Sequence, residues 1–344
     1  MLPMPNRRPT IRDVAKHAGV SKSLVSLVLS DPSKVSSLRR SRVEDSIREL
    51  GYQPNLAARS LVAENRHAIG VVLGELHNPW VLEVAEVVRE QLQAAGFDVL
   101  FSAAAIHDGQ GIGTGELQAL RDLRVSGILV VGSADDAASF ESALGETPAV
   151  FVGSGREPQA NTAVASIDDE QGYGLVIDHL VSGGNAQITH VSGGSGPVAA
   201  LREAAYHRAM QRHGLREQVQ VVEAGPSLQA GYEAVAQLLA SGKRPQALAC
   251  FNDLCAFGAM QALDEAGASA AVTGYDNISL SSLGRISLTS VDSDSQDLGR
   301  GSARLLLHLM RNPEGKFARQ IKILPRLIVR ASSEAPPAIH MRVR

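Results

Sequence analysis

Residues 10–61 read TIRDVAKHAGVSKSLVSLVLSDPSKVSSLRRSRVEDSIRELGYQPNLAARSL, and this stretch decides the organisation of the chain. Thr10 can cap a helix whose apolar residues recur at helical spacing until Gly19, which can form the left-handed turn that ends a helix. Ser21 can cap a second helix. A third helix is expected between Val35-Ser36 and Gly51. The stretch therefore predicts a helix-turn-helix followed by a third helix.

The second helix of such a motif places its N-terminal side chains in the major groove of DNA. Lys22, Ser23 and Ser26 are expected to point outward there. The charge distribution agrees, because residues 1–66 hold 12 Lys and Arg against 6 Asp and Glu, whereas the remainder holds 21 against 30. A basic head on an acidic body is typical of a DNA-binding head joined to a body that avoids DNA.

Together with Gly51-Tyr52-Gln53-Pro54-Asn55, the stretch resembles the head of the LacI family of bacterial transcription regulators. The resemblance implies that Lys22, Ser23 and Leu27 read bases. Leu27 departs from the family pattern, in which this residue is basic. A leucine offers only apolar contact, for example to a thymine methyl group, whereas arginine can bond guanine in bidentate fashion.

Residues 54–61 resemble the family's hinge helix, in which a leucine, here Leu61, wedges a base step apart in the minor groove. Two turns of helix are marginal alone, so this segment could fold only on DNA. An ordinary linker with one exposed leucine is the alternative interpretation. Basic side chains of the head are expected to meet phosphates, so binding should weaken with salt. The residues expected at the DNA are Thr10, Lys22, Ser23, Ser26, Leu27, Arg39, Arg40, Arg42, Asn55, Ala58 and Leu61.

From Ala68 onward, apolar strand-like runs alternate with amphipathic helical runs, and the alternation restarts near Ile167. This pattern predicts two α/β lobes with parallel sheets. It resembles the family's periplasmic-binding-protein-like core, in which the chain crosses between the lobes three times. The crossings are expected near Ile167, Asp292 and Lys322. The fold class is thus an all-α helix-turn-helix head plus a two-lobed α/β core. The expected domains are a head (1–53), a hinge helix and linker (54–66), the core (67–334) and a C-terminal tail (335–344).

Polar residues follow several predicted strands, where open α/β sheets bind ligands. In the family these residues hold a small effector between the lobes, and an arginine paired with an aspartate suits the hydroxyls of a sugar or polyol. Trp80 could instead fill the core, and Arg202 could lie on the surface. Ser293 departs from the family, which often has glutamine there. The candidate effector-binding residues are Asn78, Trp80, Ser102, Arg202, Asn252, Asp276 and Ser293.

Other functional classes fit the sequence less well. Gly193–Gly196 is glycine-rich but lacks the Lys-Ser/Thr of a phosphate-binding loop, and no cysteine–histidine spacing suggests a metal site. We expect neither an enzyme nor a cofactor. Cys250 and Cys255 lie in apolar sequence and are expected to be buried thiols. The N-terminus lacks an apolar signal-peptide region, so a secreted solute-binding protein is not expected and the cytoplasm is the expected compartment.

The sequence therefore predicts a DNA-binding transcription regulator, a repressor, controlled by a small polar effector. One small head offers few base contacts, so a homodimer on a near-palindromic operator is expected. The tail shows no leucine heptad for a C-terminal coiled coil. No membrane span is evident. A core that responds to a nucleobase or a partner protein, or that binds ligand without regulation, remains an alternative.

Overall fold

The computed structural model describes residues 9–30, 32–52, 68–103, 114–132, 137–159, 161–313, 315 and 317–334. The chain divides into two compact units: Met1–Arg66, which contains the predicted head and hinge, and His67–Arg344, which contains the predicted core and tail. The predicted hinge helix, with Asn55, Ala58 and Leu61, and the predicted tail lie outside the described residues.

The head contains the three helices predicted from its sequence. They are α1 (Ile11–Ala18), α2 (Lys22–Ser30) and α3 (Ser37–Leu50), with a short 3-10 turn at Pro32–Lys34. The Asp13 carboxylate accepts hydrogen bonds from the Thr10 backbone N–H at 2.7 Å and from the Thr10 hydroxyl at 2.6 Å, which fixes the start of α1. Gly19 and Gly51 end α1 and α3 with φ of 65° and 59°, a conformation that glycine adopts at low cost.

Small apolar side chains form the centre of the head. Val14, Val25 and Val43, one from each helix, are fully buried. His17 of α1 lies 3.1 Å from the Ser46 hydroxyl of α3 through its Nδ1 atom, so a polar contact joins these helices beside the valine core.

The first lobe of the core is a parallel sheet. Its strands are β1 (Ala68–Leu73), β2 (Asp98–Ala103), β3 (Gly127–Val131), β4 (Ala149–Val152), β5 (Thr162–Ile167) and β11 (Gln320–Ile323). They lie in the order β11-β5-β4-β3-β1-β2. Every residue of β3 and β4 is buried, as expected of central parallel strands covered on both faces. Residues on the edge strand β2 are half-buried or exposed.

The second lobe repeats this arrangement. Its strands are β6 (Ile188–Val191), β7 (Gln220–Val222), β8 (Ala247–Cys250), β9 (Ala271–Asp276), β10 (Thr289–Asp292) and β12 (Arg326–Ile328). They lie in the order β12-β10-β9-β8-β6-β7, and only the edge strand β12, among those described, runs antiparallel to its neighbour.

Helices cover both sheets. They are α4 (Pro79–Ala94), α5 (Thr114–Asp122), α6 (Ala137–Leu144), α7 (Asp169–Ser182), α8 (Pro197–Arg212), α9 (Leu228–Ala240), α10 (Asp253–Glu265) and α11 (Ser295–Arg311). The alternating pattern predicted all of these except α6. Short 3-10 turns occupy Arg216–Gln218, Ser279–Ser282 and Ala331–Ser333. No helix in the described ranges combines the length and apolar character needed to cross a membrane.

The chain crosses between the lobes at the three predicted places. It leaves the first sheet after Ile167, returns after Asp292 and leaves again after Ile323. After the second crossing, α11 packs against α4 in the first lobe. Lys322 lies 3.7 Å from Asp168, so an ion pair joins the third crossing to the first. The carboxyl ends of strands from both sheets consequently face one cleft.

Candidate functional site

The cleft between the lobes contains a polar cavity. Its volume is about 40 Å³, well below the roughly 300–1,000 Å³ of small-molecule sites. A sugar-sized ligand therefore requires the lobes or side chains to move apart. The described lining residues are Glu75, Asn78, Trp80, Val81, Gly132, Gly153, Ser154, Ser166, Ile167, Asp169, Val198, Arg202, Phe251 and Asp276.

Asn78 begins α4 and links the two lobes. Its Oδ1 atom accepts a hydrogen bond from the Trp80 backbone N–H at 3.1 Å, which caps the helix, and Pro79 is compatible with the first turn. Its Nδ2 atom donates to Asp276 Oδ2 at 3.4 Å. The same side chain thus starts a helix of the first lobe and contacts a carboxylate of the second.

Trp80, the single tryptophan of the sequence, is 5 % exposed and lies in the wall of the cavity. Its indole Nε1 donates to the Ser293 hydroxyl, in the second crossing, at 2.7 Å. The ring lies directly on the Gly153 backbone, where a Cβ atom would come within 2.3 Å of the indole Cη2. Glycine at this position is therefore needed to admit the ring.

Arg202, on α8, is buried and held on several sides. Its Nε donates to Asp169 at 2.9 Å and its Nη1 donates to the Phe251 carbonyl at 2.7 Å, while Nη2 lies 3.7 Å from Asp276. The guanidinium also lies over the Tyr275 ring at 3.7 Å. Burial alone lowers the pKa of Arg202, but the two carboxylates outweigh burial and raise it. The charge is compensated within the protein.

Asp276 ends β9 with a φ of 104°, a conformation that is strained for a residue other than glycine. Burial raises the pKa of its carboxyl to about 8, with further raising by Asp253 and Glu75 and opposition from Arg202 and Asn78. Because the folded pKa of this carboxyl lies above the unfolded value, it stabilises the fold at low pH, and this contribution is lost between about pH 4 and pH 8.

Asp253, directly behind Asp276, holds the backbone that follows β9. Its carboxylate accepts hydrogen bonds from the Ile278 N–H at 2.9 Å and from the hydroxyls of Ser281 at 2.6 Å and Ser290 at 2.5 Å. Burial raises the pKa of Asp253 to about 6, although these donors lower it. The strained turn at Asp276 is consequently fixed by a buried network.

Four of the predicted effector residues meet in the cavity, and three do not line it. Asn78, Trp80, Arg202 and Asp276 come together. Asn252 caps α10 by accepting from the Cys255 N–H at 2.8 Å and donates to the Pro226 carbonyl at 2.9 Å, so its amide serves the fold.

Ser293 acts on the cavity through the Trp80 indole, and Ser102 lies on the edge strand β2 outside the described lining. Sequence reasoning missed five polar or aromatic lining residues, namely Glu75, Ser154, Ser166, Asp169 and Phe251. All lie at or just beyond the end of a strand or at a helix start, a position that could have identified them.

Seven of the predicted DNA-binding residues lie on helices α2 and α3 of the head, and Thr10 lies just before α1. Lys22 and Ser23 are exposed in the first turn of α2, and Arg39 and Arg42 are exposed on α3. Arg40 is partly covered and lies 3.7 Å from Glu44.

Thr10, Ser26 and Leu27 are half-buried, and the Leu27 side chain packs partly against the core of the head. Less apolar surface is therefore available at Leu27 for contact with a base than its position on α2 alone suggests. The two cysteines, Cys250 and Cys255, are buried free thiols, as predicted.

Comparisons with known proteins agree with this geometry. The model of the "Bacterial regulatory proteins, lacI family" matches residues 10–55, and that of the "Periplasmic binding protein-like domain" matches residues 177–333. The HTH-type transcriptional repressor PurR of Mannheimia succiniciproducens is 31 % identical over 331 residues, covering 94 % of this chain and 98 % of that protein. The lactose operon repressor of Escherichia coli is 31 % identical over 338 residues, covering 95 % and 91 %.

A solved structure of similar architecture is the Lac repressor dimer bound to operator and the anti-inducer ONPF. It superposes with a TM-score of 0.79 at 29 % identity and covers 96 % of this chain and 100 % of that chain. A LacI family regulator from Enterococcus faecium with bound ribose superposes with a TM-score of 0.68 at 25 % identity, covering 78 % and 98 %.

Substituting Ser293→Ala removes the acceptor of the Trp80 indole N–H and leaves a buried donor unpaired. We expect a loss of about 1–3 kcal/mol in the free energy of unfolding and a blue shift of the tryptophan emission. Urea titration and fluorescence of the purified protein measure both. Ser295→Ala, two residues along, leaves that acceptor in place and should change neither. An unshifted spectrum in Ser293→Ala would contradict the assigned contact.

Proposed function

The chain belongs to the LacI family of bacterial regulatory proteins, and we propose that an uncharged polyhydroxylated effector, a sugar or polyol, controls its affinity for DNA. It is a DNA-binding transcriptional repressor rather than an enzyme. The observation that carries the effector proposal is the internally compensated Arg202 in the cleft.

The charges of the cleft favour an uncharged ligand. Among the described lining residues, the carboxyl groups of Glu75, Asp169 and Asp276 outnumber the one guanidinium, and that guanidinium already faces two of them. A carboxylate or phosphate would have to displace these partners and approach the remaining acid. Hydroxyl groups can instead donate to Asp276 and leave the ion pairs intact.

The shape of the cleft supports the same ligand class. The Trp80 ring lies in the wall with the Phe251 ring among the other lining residues, and aromatic rings pack on the apolar face of a sugar ring. The Enterococcus faecium relative was solved with ribose. A flat nucleobase could also stack on these aromatic rings, so the experiment below tests nucleobase binding as well.

The head is proposed to read DNA through its exposed basic and polar side chains. Lys22, Ser23 and Leu27 would face base edges, and Arg39 and Arg42 would contact phosphates, with Thr10, Ser26 and Arg40 nearby. We assign residues 1–53 to the head, 54–66 to the hinge with Asn55, Ala58 and Leu61 in the minor groove, 67–334 to the core and 335–344 to the tail. A protein that binds the chromosome in this way acts in the cytoplasm.

A homodimer is proposed on the basis of an apolar surface that spans both lobes. Leu82 of α4 is 48 % exposed, and Leu280 and Leu283 after β9 are 42 % and 51 % exposed. The two segments adjoin, because the Ser279 N–H donates to Glu83 at 3.4 Å. Covering three exposed leucines gives a favourable interface. A partner seated on both lobes would be sensitive to their relative movement, which would change the spacing of the two heads.

The effector proposal is tested with Asp276→Asn. We expect its affinity at pH 8.5 for D-ribose, D-glucose or D-galactose, whichever binds the wild type best, to fall about 30-fold, because a charged hydrogen bond contributes about 2 kcal/mol. Operator affinity should stay within twofold. Trp80 fluorescence and electrophoretic mobility shift measure the two affinities.

Asp264→Asn, on the exposed side of α10, is the matched control for that substitution. Binding of adenine, guanine or uracil in place of every sugar and polyol would overturn the proposed ligand class. Loss of operator binding in correctly folded Asp276→Asn would contradict the division of roles between the head and the cleft.

The raised pKa of Asp276 predicts a pH-dependent effector affinity. Ligand hydroxyls need the ionised carboxylate, so binding releases a proton below pH 8 and affinity should rise roughly eightfold from pH 6.5 to 7.5 and level off above pH 8.5. The neighbouring Asp253, with a pKa raised to about 6, is mostly ionised in this range, and His190 has a pKa lowered to about 4. Fluorescence titration measures the profile, and Asp276→Asn should flatten it.

Because residue 27 is leucine, we expect this protein to prefer a different base from relatives that have arginine at the same position. Leu27→Arg should shift one position of each half-site towards guanine by about tenfold, measured by selection from randomised duplexes. Leu38→Arg adds the same charge on α3, where the leucine is 74 % exposed, and should strengthen binding without altering preference. Both proteins should bind less tightly as salt rises. An unchanged preference in Leu27→Arg would argue against base reading at this residue.

A further inference from the structure

Two serine hydroxyls in the wall of the cleft are buried and unpaired. The Oγ atoms of Ser154 and Ser166 are shielded from solvent, and neither has a hydrogen-bond partner among the described residues. Both residues line the cavity. A buried hydroxyl without a partner is costly, so a pair of them in one wall is a feature that a ligand can satisfy.

The two serines lie at the carboxyl ends of neighbouring strands. Val152 of β4 pairs with Ala165 of β5, and the Gly153 N–H donates to the Ala165 carbonyl at 2.8 Å, so Ser154 and Ser166 both follow this last rung. Gly153 also carries the Trp80 indole on its backbone. The first lobe therefore contributes the Trp80 ring and the two hydroxyls to the cavity, together with Glu75 and Asn78.

The second lobe presents different chemistry to the same cavity. Its charged groups are the carboxyls of Asp169 and Asp276 and the Arg202 guanidinium that contacts both. An ionised carboxylate only accepts hydrogen bonds, whereas a serine hydroxyl both donates and accepts. A ligand that satisfies both walls needs hydrogen-bonding groups on two opposite edges, and the groups towards the serines can be donors or acceptors.

We infer that Ser154 and Ser166 bind the edge of the effector opposite Asp276 and determine which polyhydroxylated ring the cleft accepts. This inference rests on the proposed function and narrows its ligand class to a ring with hydroxyls on opposite edges. Such a ring connects one wall to the other and so stabilises the closed arrangement of the lobes. The two serines are specificity-determining residues of the site.

The test compares Ser154→Ala and Ser166→Ala with Ser182→Ala, an exposed serine at the end of α7. The probe is the best binder among D-ribose, D-glucose and D-galactose, titrated by Trp80 fluorescence on the full-length protein. Each cleft variant should lose about tenfold in affinity, as expected for one lost ligand hydrogen bond, and the control should lose none. Because each substitution removes an unpaired hydroxyl, the melting temperatures of the proteins without sugar should not fall.

Monodeoxy derivatives of the same sugar identify the contact. The derivative that lacks the hydroxyl bound by Ser166 should bind the wild type and Ser166→Ala with similar affinity, since the interaction is already absent. If both serine variants bind the sugar as tightly as the wild type while Asp276→Asn binds it more weakly, the two serines do not bind the opposite edge of the ligand. The proposed function would still stand. Failure of every sugar and polyol to bind the wild type would overturn the proposed function itself, and this inference with it.

Discussion

The buried charge of Arg202 is the constraint on which the second lobe depends. Removing one partner from a buried ion pair typically costs about 3–5 kcal/mol, so the guanidinium requires Asp169, the Phe251 carbonyl and Asp276 together. These partners belong to the start of α7, the end of β8 and the end of β9. The charge thus fixes three separate parts of the chain at one edge of the sheet, and this wall of the cleft is organised before any ligand arrives.

The first lobe is organised differently. Its wall depends on the Trp80 ring, which is oriented by the Ser293 hydroxyl and seated on Gly153. The lobes are joined by three crossings whose charged residues are paired, Lys322 with Asp168 and Arg326 with Asp292 at 3.2 Å. These pairs are largely exposed and contribute little free energy. These ion pairs therefore add little resistance to a change in lobe closure.

Particular residues show how far the sequence could predict this site. Central strands such as Gly127–Val131 are continuous apolar runs, so the alternation with helices identified the lobes, whereas α6, with eight residues, is the shortest helix described in the core. Asn78, Trp80, Arg202 and Asp276 could be predicted because each belongs to a short motif. Asn252 belongs to one too, yet its amide caps a helix. Ser154 and Ser166 also lie at or near strand ends, but only the structure shows that their hydroxyls are buried without a partner among the described residues.

The contacts that already join the lobes set the limits of regulation. A ligand shifts a conformational equilibrium only by the difference between its affinities for the two states. Here a ligand that binds Asp276 competes with the 3.4 Å contact from the Asn78 amide to that carboxylate. The hydrogen bond between Trp80 and Ser293 is a second contact that already joins the lobes. A ligand hydroxyl that only takes the place of the Asn78 amide at Asp276 shifts the equilibrium between open and closed lobes very little. In the proposed binding mode, the groups that bridge from Asp276 to the opposite wall are the ones that change lobe closure, so effector specificity and regulation would depend on the same few atoms.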